Sequence, residues 1–394
     1  MIEFLGVLAT FVVIFILALK KVNLGLVLLL ASLILGLTAG LPLQGFLEVT
    51  RLTLTDYTTY ELILSVGFIS ILGNCLKETG LMVKLIESLT GILSSRWLVA
   101  LIPPLFGLLP MPGGALMSAP FNEGEANRLG MNAEEKTFVN VWFRHVWFFA
   151  LPISTSLIML SRVAKVDLYA FILLLFPLFF PMALVGYLFS IRGKASAKDQ
   201  RRASASALVK GLLPIFSVVL LNILGIPLPA AILVGIILVL IEGRMGFSRS
   251  ASTVLHGVHW DILAALAGVM FFRYMIKESG SVILLFSGLR DAGVPLLVLA
   301  TVFPFLIGFI SGAPTNGIGI GVPLIMPLFA SQTLSILGVV YLSIIMGYML
   351  SPLHLCLLLT NSYYKSNLEK VYRMLAPSTL IVYAIGLLYF FPQL

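Results

Sequence analysis

Long apolar runs recur along the whole chain, and many approach the roughly 20 residues that a helix needs to cross a bilayer. Of the 394 residues, 59% are hydrophobic and only 11% are charged, whereas soluble domains carry about 25% charged residues. A soluble fold would need far more polar surface than this sequence supplies. The sequence therefore predicts an all-α membrane protein.

The apolar runs predict about ten transmembrane helices, five in each half. The predicted spans are 2–19, 24–40, 58–76, 138–160 and 167–190 in the first half, and 207–222, 225–242, 261–276, 334–360 and 374–392 in the second. Two further apolar segments, 97–121 and 294–330, are interrupted by Pro and Gly and are interpreted as re-entrant helical hairpins.

The distribution of Lys and Arg predicts the orientation. With the basic segment 191–206 in the cytoplasm, most of these residues fall in cytoplasmic loops, as positive-inside orientation requires. This predicts a multi-pass protein of the cell inner membrane with both termini outside. The net charge of +8 is explained by these loops, so we expect the lipid bilayer, and not nucleic acid, as its partner.

The two halves match at a shift of 200 residues. Residues 77–80 read Lys-Glu-Thr-Gly, and residues 277–280 read Lys-Glu-Ser-Gly. The same shift relates three pairs of prolines, at 104 and 304, 152 and 352, and 177 and 377. This predicts a first repeat at 1–190, a linker at 191–206 and a second repeat at 207–394. An odd number of spans per repeat makes the topology inverted, as in many secondary transporters.

The interrupted segments are the first candidate solute site. Pro and Gly exclude a continuous helix at each hairpin tip, and irregular backbone at membrane depth is tolerated where it lines a cavity or is buried in protein. Free carbonyls and helix N-termini at such tips bind ions and anions. The candidates are Pro112, Gly113, Gly114 and Ser118 at the first tip, and Ser311, Thr315 and Asn316 at the second.

A second pair of breaks follows the hairpins, at Pro152 and Pro352. Each proline frees a backbone carbonyl one turn earlier. Ser154 and His354 lie beside these prolines and are candidates to complete a polar cavity. A structural kink without a ligand is the alternative.

Arg144 and His145 lie within an otherwise apolar and aromatic stretch. An arginine at membrane depth is costly unless it faces a cavity or a partner, so Arg144 is a candidate counter-ion for an anionic solute. The alternative is that it extends to the cytoplasmic interface. His145, like His354, is a candidate proton carrier.

Several absences also narrow the function. No Asp or Glu lies at the middle of a predicted span, so we expect no carboxylate near the solute. We expect cation coupling to use either oxygen ligands of sodium or protonation of the histidines. Nothing resembles a nucleotide-binding loop, G-x-S-x-G or H-E-x-x-H, and we do not expect an enzyme. The spacing of Cys75 and Cys356 indicates neither a metal site nor a disulfide framework.

This pattern resembles the ion-transporter superfamily, which includes divalent-anion/sodium symporters and citrate, gluconate and arsenite carriers; within it, the chain looks closest to an uncharacterised integral-membrane branch. The motif that carries the resemblance is Ser-Gly-Ala-Pro-Thr-Asn-Gly at 311–317. The resemblance implies a homodimer, elevator-like movement, and a sodium ion held by Ser311, Gly312, Thr315 and Asn316, with no cofactor besides the coupling ion.

We therefore expect a secondary transporter of a small organic anion of the carboxylate type, coupled to sodium or protons. The same-class alternatives are an efflux carrier for an inorganic oxyanion and a sodium/proton antiporter. A channel or a non-transporting membrane scaffold, and an intramembrane enzyme, are alternatives from other classes.

Overall fold

The computed structural model describes residues 2–20, 22–107, 114–194, 205–281, 288, 293–329 and 334–393. Those residues form α-helices joined by turns and short 3-10 segments, without a β-strand among them. This confirms the all-helical fold class. The hairpin tip at 108–113, which includes Pro112 and Gly113, and most of the basic linker lie outside the described residues.

The helices of the first half are α1 (Ile2–Leu19), α2 (Leu24–Thr38), α3 (Leu43–Thr55), α4 (Tyr57–Glu78), α5 (Leu81–Thr90), α6 (Ser95–Gly107), α7 (Gly114–Arg128), α8 (Ala133–Arg144), α9 (Thr155–Ala164), α10 (Leu168–Leu175) and α11 (Phe179–Ser190). Those of the second half are α12 (Ala205–Ile223), α13 (Leu228–Glu242), α14 (Phe247–His256), α15 (Trp260–Ser279), α16 (Leu296–Ser311), α17 (Pro314–Ile325), α18 (Leu334–Leu350), α19 (Leu355–Tyr364) and α20 (Leu368–Phe390).

Four helical stretches of the described chain are long and apolar enough to cross a membrane: Tyr57–Glu78, Leu168–Ser190, Leu334–Tyr364 and Leu368–Phe390. They coincide with four of the predicted spans. The pair α14 and α15, bent by 45°, would make a fifth. The other predicted spans fall on shorter apolar helices or on a broken stretch. Helices of 15 residues, such as α2 and α13, extend about 22 Å, less than the roughly 30 Å hydrocarbon core.

The predicted span at 138–160 is not one helix. The helix α8 ends at Arg144, a 3-10 segment covers Val146–Phe149, and α9 begins only at Thr155. In the second half, α18 ends at Leu350 and α19 begins at Leu355. Pro152 and Pro352 lie in these interruptions. Each proline interrupts the helix because it supplies no backbone N–H to an interior helical turn.

Local packing repeats at the shift of 200 residues. A Cβ on Gly186 would overlap Trp142, and a Cβ on Gly386 would overlap Leu342. Both glycines therefore allow close contact between helices, α11 with α8 and α20 with α18. The helices α9 and α19 also end alike, since Lys165 and Lys365 both adopt left-handed backbone conformations, with φ of 56° and 51°.

Both interrupted segments form pairs of helices in contact, α6 with α7 and α16 with α17. The first helix of each pair also packs against the helix that precedes a break, α6 against α8 and α16 against α18. The helix α18 is buried along almost its whole length, so the second hairpin packs against the core of the described structure.

Residues 43–55 and 247–256 lie in no predicted span, and the structure shows helices α3 and α14 there. Each of them contacts the other half of the chain: α3 packs against α15, and α14 packs against α4. The helix α5 follows the block at 77–80, whereas most of the segment that follows the matching block at 277–280 lies outside the described residues.

Two ion pairs connect the end of α9 with the beginning of α4. Arg162 pairs with Glu61 at 2.8 Å, and Lys165 pairs with Asp56 at 3.5 Å. Burial acts to raise the pKa of Asp56, but hydrogen bonds from Tyr274 and Thr58, together with Lys165, outweigh it and lower the pKa to about 2. Asp56 therefore carries a negative charge at neutral pH.

Candidate functional site: a cavity between two broken spans

A cavity of about 430 Å³ lies where the two breaks, the second hairpin and the helices α4 and α15 meet. Its polar lining comes from both halves of the chain: Asn23, Ser70, Arg144, His145, Ser154, Thr155, Ser156, Asp261, Thr315, Asn316, Tyr348 and Cys356. Apolar side chains such as Val269 and Phe148 fill the remaining wall. A mostly apolar pocket with a few convergent polar groups is the usual form of a small-molecule site.

Arg144 is the last residue of α8, and its side chain borders the cavity with only 8% of the residue exposed. Two glycines make room for it. A Cβ on Gly114 would overlap the guanidinium group, and a Cβ on Gly107 would lie 2.7 Å from the Arg144 carbonyl oxygen. The first hairpin therefore holds the guanidinium inside the protein, beside the cavity.

His145 is buried next to Arg144 and connects the two breaks. Its Nδ1 lies 2.6 Å from the Val141 carbonyl oxygen, and its Nε2 lies 3.1 Å from the Tyr348 hydroxyl. Because a carbonyl only accepts, Nδ1 carries the proton and Nε2 accepts from Tyr348. The ring of His354 lies 4.8 Å from that of His145 and is completely buried.

The second hairpin tip reaches the same cavity. Gly312 ends α16 with φ of 59°, and a Cβ there would lie 2.7 Å from Cβ of Leu353. Thr315 and Asn316, in the first turn of α17, line the cavity. The Ser311 hydroxyl donates instead to the carbonyls of Gly308 and Ala313, so it stabilises the tip itself.

Ser118 does not line the cavity. Its hydroxyl donates to the Asn140 side-chain oxygen at 2.7 Å, and the Asn140 amide donates to Ala115 and Thr360. These buried bonds join α7, α8 and α19. Ser154, in contrast, lines the cavity at the start of α9.

Three helices begin at the cavity wall: α9 at Thr155, α17 at Pro314 and α19 at Leu355. The N-terminal turn of a helix carries unpaired N–H groups and the positive end of the helix dipole. Together with the guanidinium of Arg144, they give this part of the cavity a positive potential, which favours an anionic ligand.

Asp261 also lines the cavity, at the exposed start of α15. The expectation that no carboxylate lies near the candidate site was therefore wrong. The sequence places Asp261 at the end of a predicted span, and only the packing of α15 against α2 and α17 brings it to the cavity.

Sequence analysis also missed Tyr348, Cys356, Ser70 and Ser156 as lining residues. Tyr348 and Cys356 lie within six residues of Pro352 on either side of the second break. Their proximity to Pro352 is the sequence feature that could have identified them as lining residues. Ser70 and Ser156 carry no sequence signal that separates them from other serines in apolar helices.

No curated protein matches this sequence. A family model described as "Protein of unknown function (DUF401)" matches residues 3–391. That range includes both broken spans, both hairpins and all the lining residues of the cavity. The chain therefore belongs to the family of proteins of unknown function DUF401.

Proposed function

We propose that this protein is a secondary transporter of a small organic anion of the carboxylate type, coupled to sodium or protons. The observation that carries the proposal is the buried guanidinium of Arg144, which borders a cavity where three helices begin. A buried cation at membrane depth is costly, and an anionic solute would offset that cost. The cavity volume of about 430 Å³ suits a small solute.

The repeated contacts support an arrangement of two inverted repeats, at 1–190 and 207–394, each with five spans and one re-entrant hairpin. Gly186 with Trp142 and Gly386 with Leu342 make the same contact in the two halves. Broken helices at matching positions of two repeats are a recurrent feature of transporter sites. The shorter helices would serve as the remaining spans where the bilayer is locally thinner or where other helices of the protein surround them.

The second hairpin suits a coupling ion. Thr315 supplies a hydroxyl, Asn316 supplies an amide oxygen, and the carbonyls at the end of α16 complete a set of oxygen ligands for sodium. His145 and His354 are the alternative carriers if the coupling ion is a proton. The resemblance to the ion-transporter superfamily further suggests a homodimer and elevator-like movement.

A sodium/proton antiporter is the second candidate, and Asp261 favours it because a carboxylate at a cavity wall is a ligand for both ions. The two candidates differ in what they require of Asp261. An antiporter would lose ion exchange in Asp261→Asn, whereas an anion transporter needs Arg144 in every turnover.

Thermal unfolding of the detergent-purified protein with a panel of small carboxylates, with and without sodium, tests the proposal. A ligand that binds the folded protein raises the midpoint of unfolding. We expect at least one carboxylate to raise it, and we expect sodium to increase the shift. A panel without any shift, together with a shift caused by sodium alone, would favour the antiporter.

A further inference from the structure

The two broken spans bring together two imidazoles and one thiol. His145, His354 and Cys356 each offer one potential ligand atom, and these three atoms lie within 4.8 Å of one another. His145 follows the end of α8, whereas His354 and Cys356 lie at the start of α19. The cluster therefore links residues that are about 200 positions apart in the chain.

The histidines of this cluster have ring nitrogens available for a ligand. The Val141 carbonyl accepts from Nδ1 of His145 at 2.6 Å, so the ligand atom of His145 is Nε2, which would exchange its hydrogen bond from the Tyr348 hydroxyl for a bond to the ligand. His354 is completely buried, and among the described residues only the Met349 carbonyl approaches its ring, without a hydrogen bond of ordinary geometry to either nitrogen. A buried polar group without a partner is costly, and a bound ion is one explanation for it.

The third group is a thiol at the N-terminal turn of α19. Cys356 is the second residue of that helix. The Tyr348 hydroxyl lies 3.9 Å from the Cys356 sulfur and 3.1 Å from Nε2 of His145. His145, Tyr348 and Cys356 also line the cavity, so one side of the cluster faces open space.

We propose that His145, His354 and Cys356 form a binding site for a thiophilic transition-metal ion such as zinc. Imidazole nitrogen and thiolate sulfur are both common zinc ligands, and three protein ligands with one open position are the arrangement of catalytic zinc sites. Tetrahedral coordination needs ligand atoms about 3.3–3.8 Å apart, so the three side chains would move inward by roughly 1 Å. The thiol proton leaves when the metal binds.

The open position faces the cavity that Arg144 borders. A divalent ion is repelled by the guanidinium, and the thiolate offsets only one of its charges. An anion at the open position would offset the other, so the site favours a metal with an anionic fourth ligand. The metal would connect the two breaks. This inference does not depend on the proposed transport function.

Titration of the metal-free, detergent-purified protein with Co²⁺ tests the site, because a cobalt–thiolate bond gives a charge-transfer band in the near ultraviolet. We expect the band in the wild type and in Cys75→Ser, whose thiol is buried elsewhere in α4, and its loss in Cys356→Ser. His354→Gln should weaken Zn²⁺ binding at least tenfold, whereas the matched change at exposed His256, His256→Gln, should leave it unchanged.

A second measurement needs no variant. Zn²⁺ should slow alkylation of Cys356 by a small thiol reagent in the wild-type protein, as followed by mass spectrometry, with Cys75 as the internal reference. An alkylation rate of Cys356 that Zn²⁺ does not change would overturn the proposal. Absence of the cobalt band from the wild type, or a band that persists in Cys356→Ser, would do the same.

Discussion

The first residue of α7, Gly114, lies directly against the guanidinium group of Arg144, with no room for a side chain between them. This contact joins the first hairpin to the end of α8. It also explains how an arginine is held beside the cavity within the protein. The guanidinium of Arg144 can therefore occupy this position only because residue 114 is a glycine and has no Cβ.

The substitution Gly114→Ala should displace the Arg144 side chain and reduce anion binding. The added Cβ would lie 3.0 Å from Cζ of Arg144 and closer still to Nη2. Gly124→Ala is the matched control, because a Cβ at Gly124, in the same helix, meets nothing within 4 Å. Carboxylate-induced thermal shifts measure the effect, and equal shifts in both variants would separate Gly114 from the site.

The substitution Gly312→Ala should destabilise the protein more than Gly280→Ala does. Both glycines have left-handed backbone conformations, with φ of 59° and 63°, so each alanine carries a similar strain of about 1–2 kcal/mol. Of these two glycines, only Gly312 has a close neighbour among the described residues, since its Cβ would lie 2.7 Å from Cβ of Leu353. Overpacking adds about 1–3 kcal/mol. Thermal unfolding measures both variants, and equal midpoints would contradict close contact between the second hairpin and the second break.

The second hairpin should control cation coupling. Thr315→Ala and Asn316→Ala should each weaken the sodium dependence of carboxylate binding by about 1–3 kcal/mol, because partner groups are left unsatisfied. Thr301→Ala is the control, since this partly exposed residue of α16 donates to the carbonyls of Leu297 and Val298 in its own helix. If sodium and pH dependence stay unchanged in both hairpin variants, the coupling ion binds elsewhere.

The proposed inverted topology predicts opposite faces for Lys165 and Lys365, which end the matching helices α9 and α19 and are both exposed. In a background with Cys75→Ser and Cys356→Ser, a membrane-impermeant maleimide should label Lys165→Cys on intact cells. Lys365→Cys should react only after permeabilisation. Labelling of both cysteines from the same side would contradict the inverted repeat.

Much of the helical framework could be predicted from the sequence, because helices and their breaks depend on the length of each apolar run and on the position of prolines within it. The breaks lie at Pro152 and Pro352, and α4 and α20 coincide with predicted spans. The short helices α3 and α14 were missed, since they are too short and too polar to stand out as spans.

The composition of the site was harder to predict, because it depends on packing between distant segments. Cys356 lies beside His145 only because α8 packs against α19. Asp261 reaches the cavity through the packing of α15, which periodicity does not indicate. The residues predicted from breaks, such as Ser154 and Thr315, line the cavity because a broken helix exposes its first turn.

Arg144 is the proposed counter-ion of the solute, and uptake into proteoliposomes tests this role most directly. The probe is the carboxylate with the largest thermal shift, and Arg51→Gln, at an exposed arginine of α3, is the control. Arg144→Gln should lower uptake at least thirtyfold, equivalent to about 2 kcal/mol, while Arg51→Gln retains it. Arg144→Lys should restore uptake only in part, since an ammonium group cannot reproduce the bidentate guanidinium. Uptake at the wild-type rate in Arg144→Gln would contradict the account.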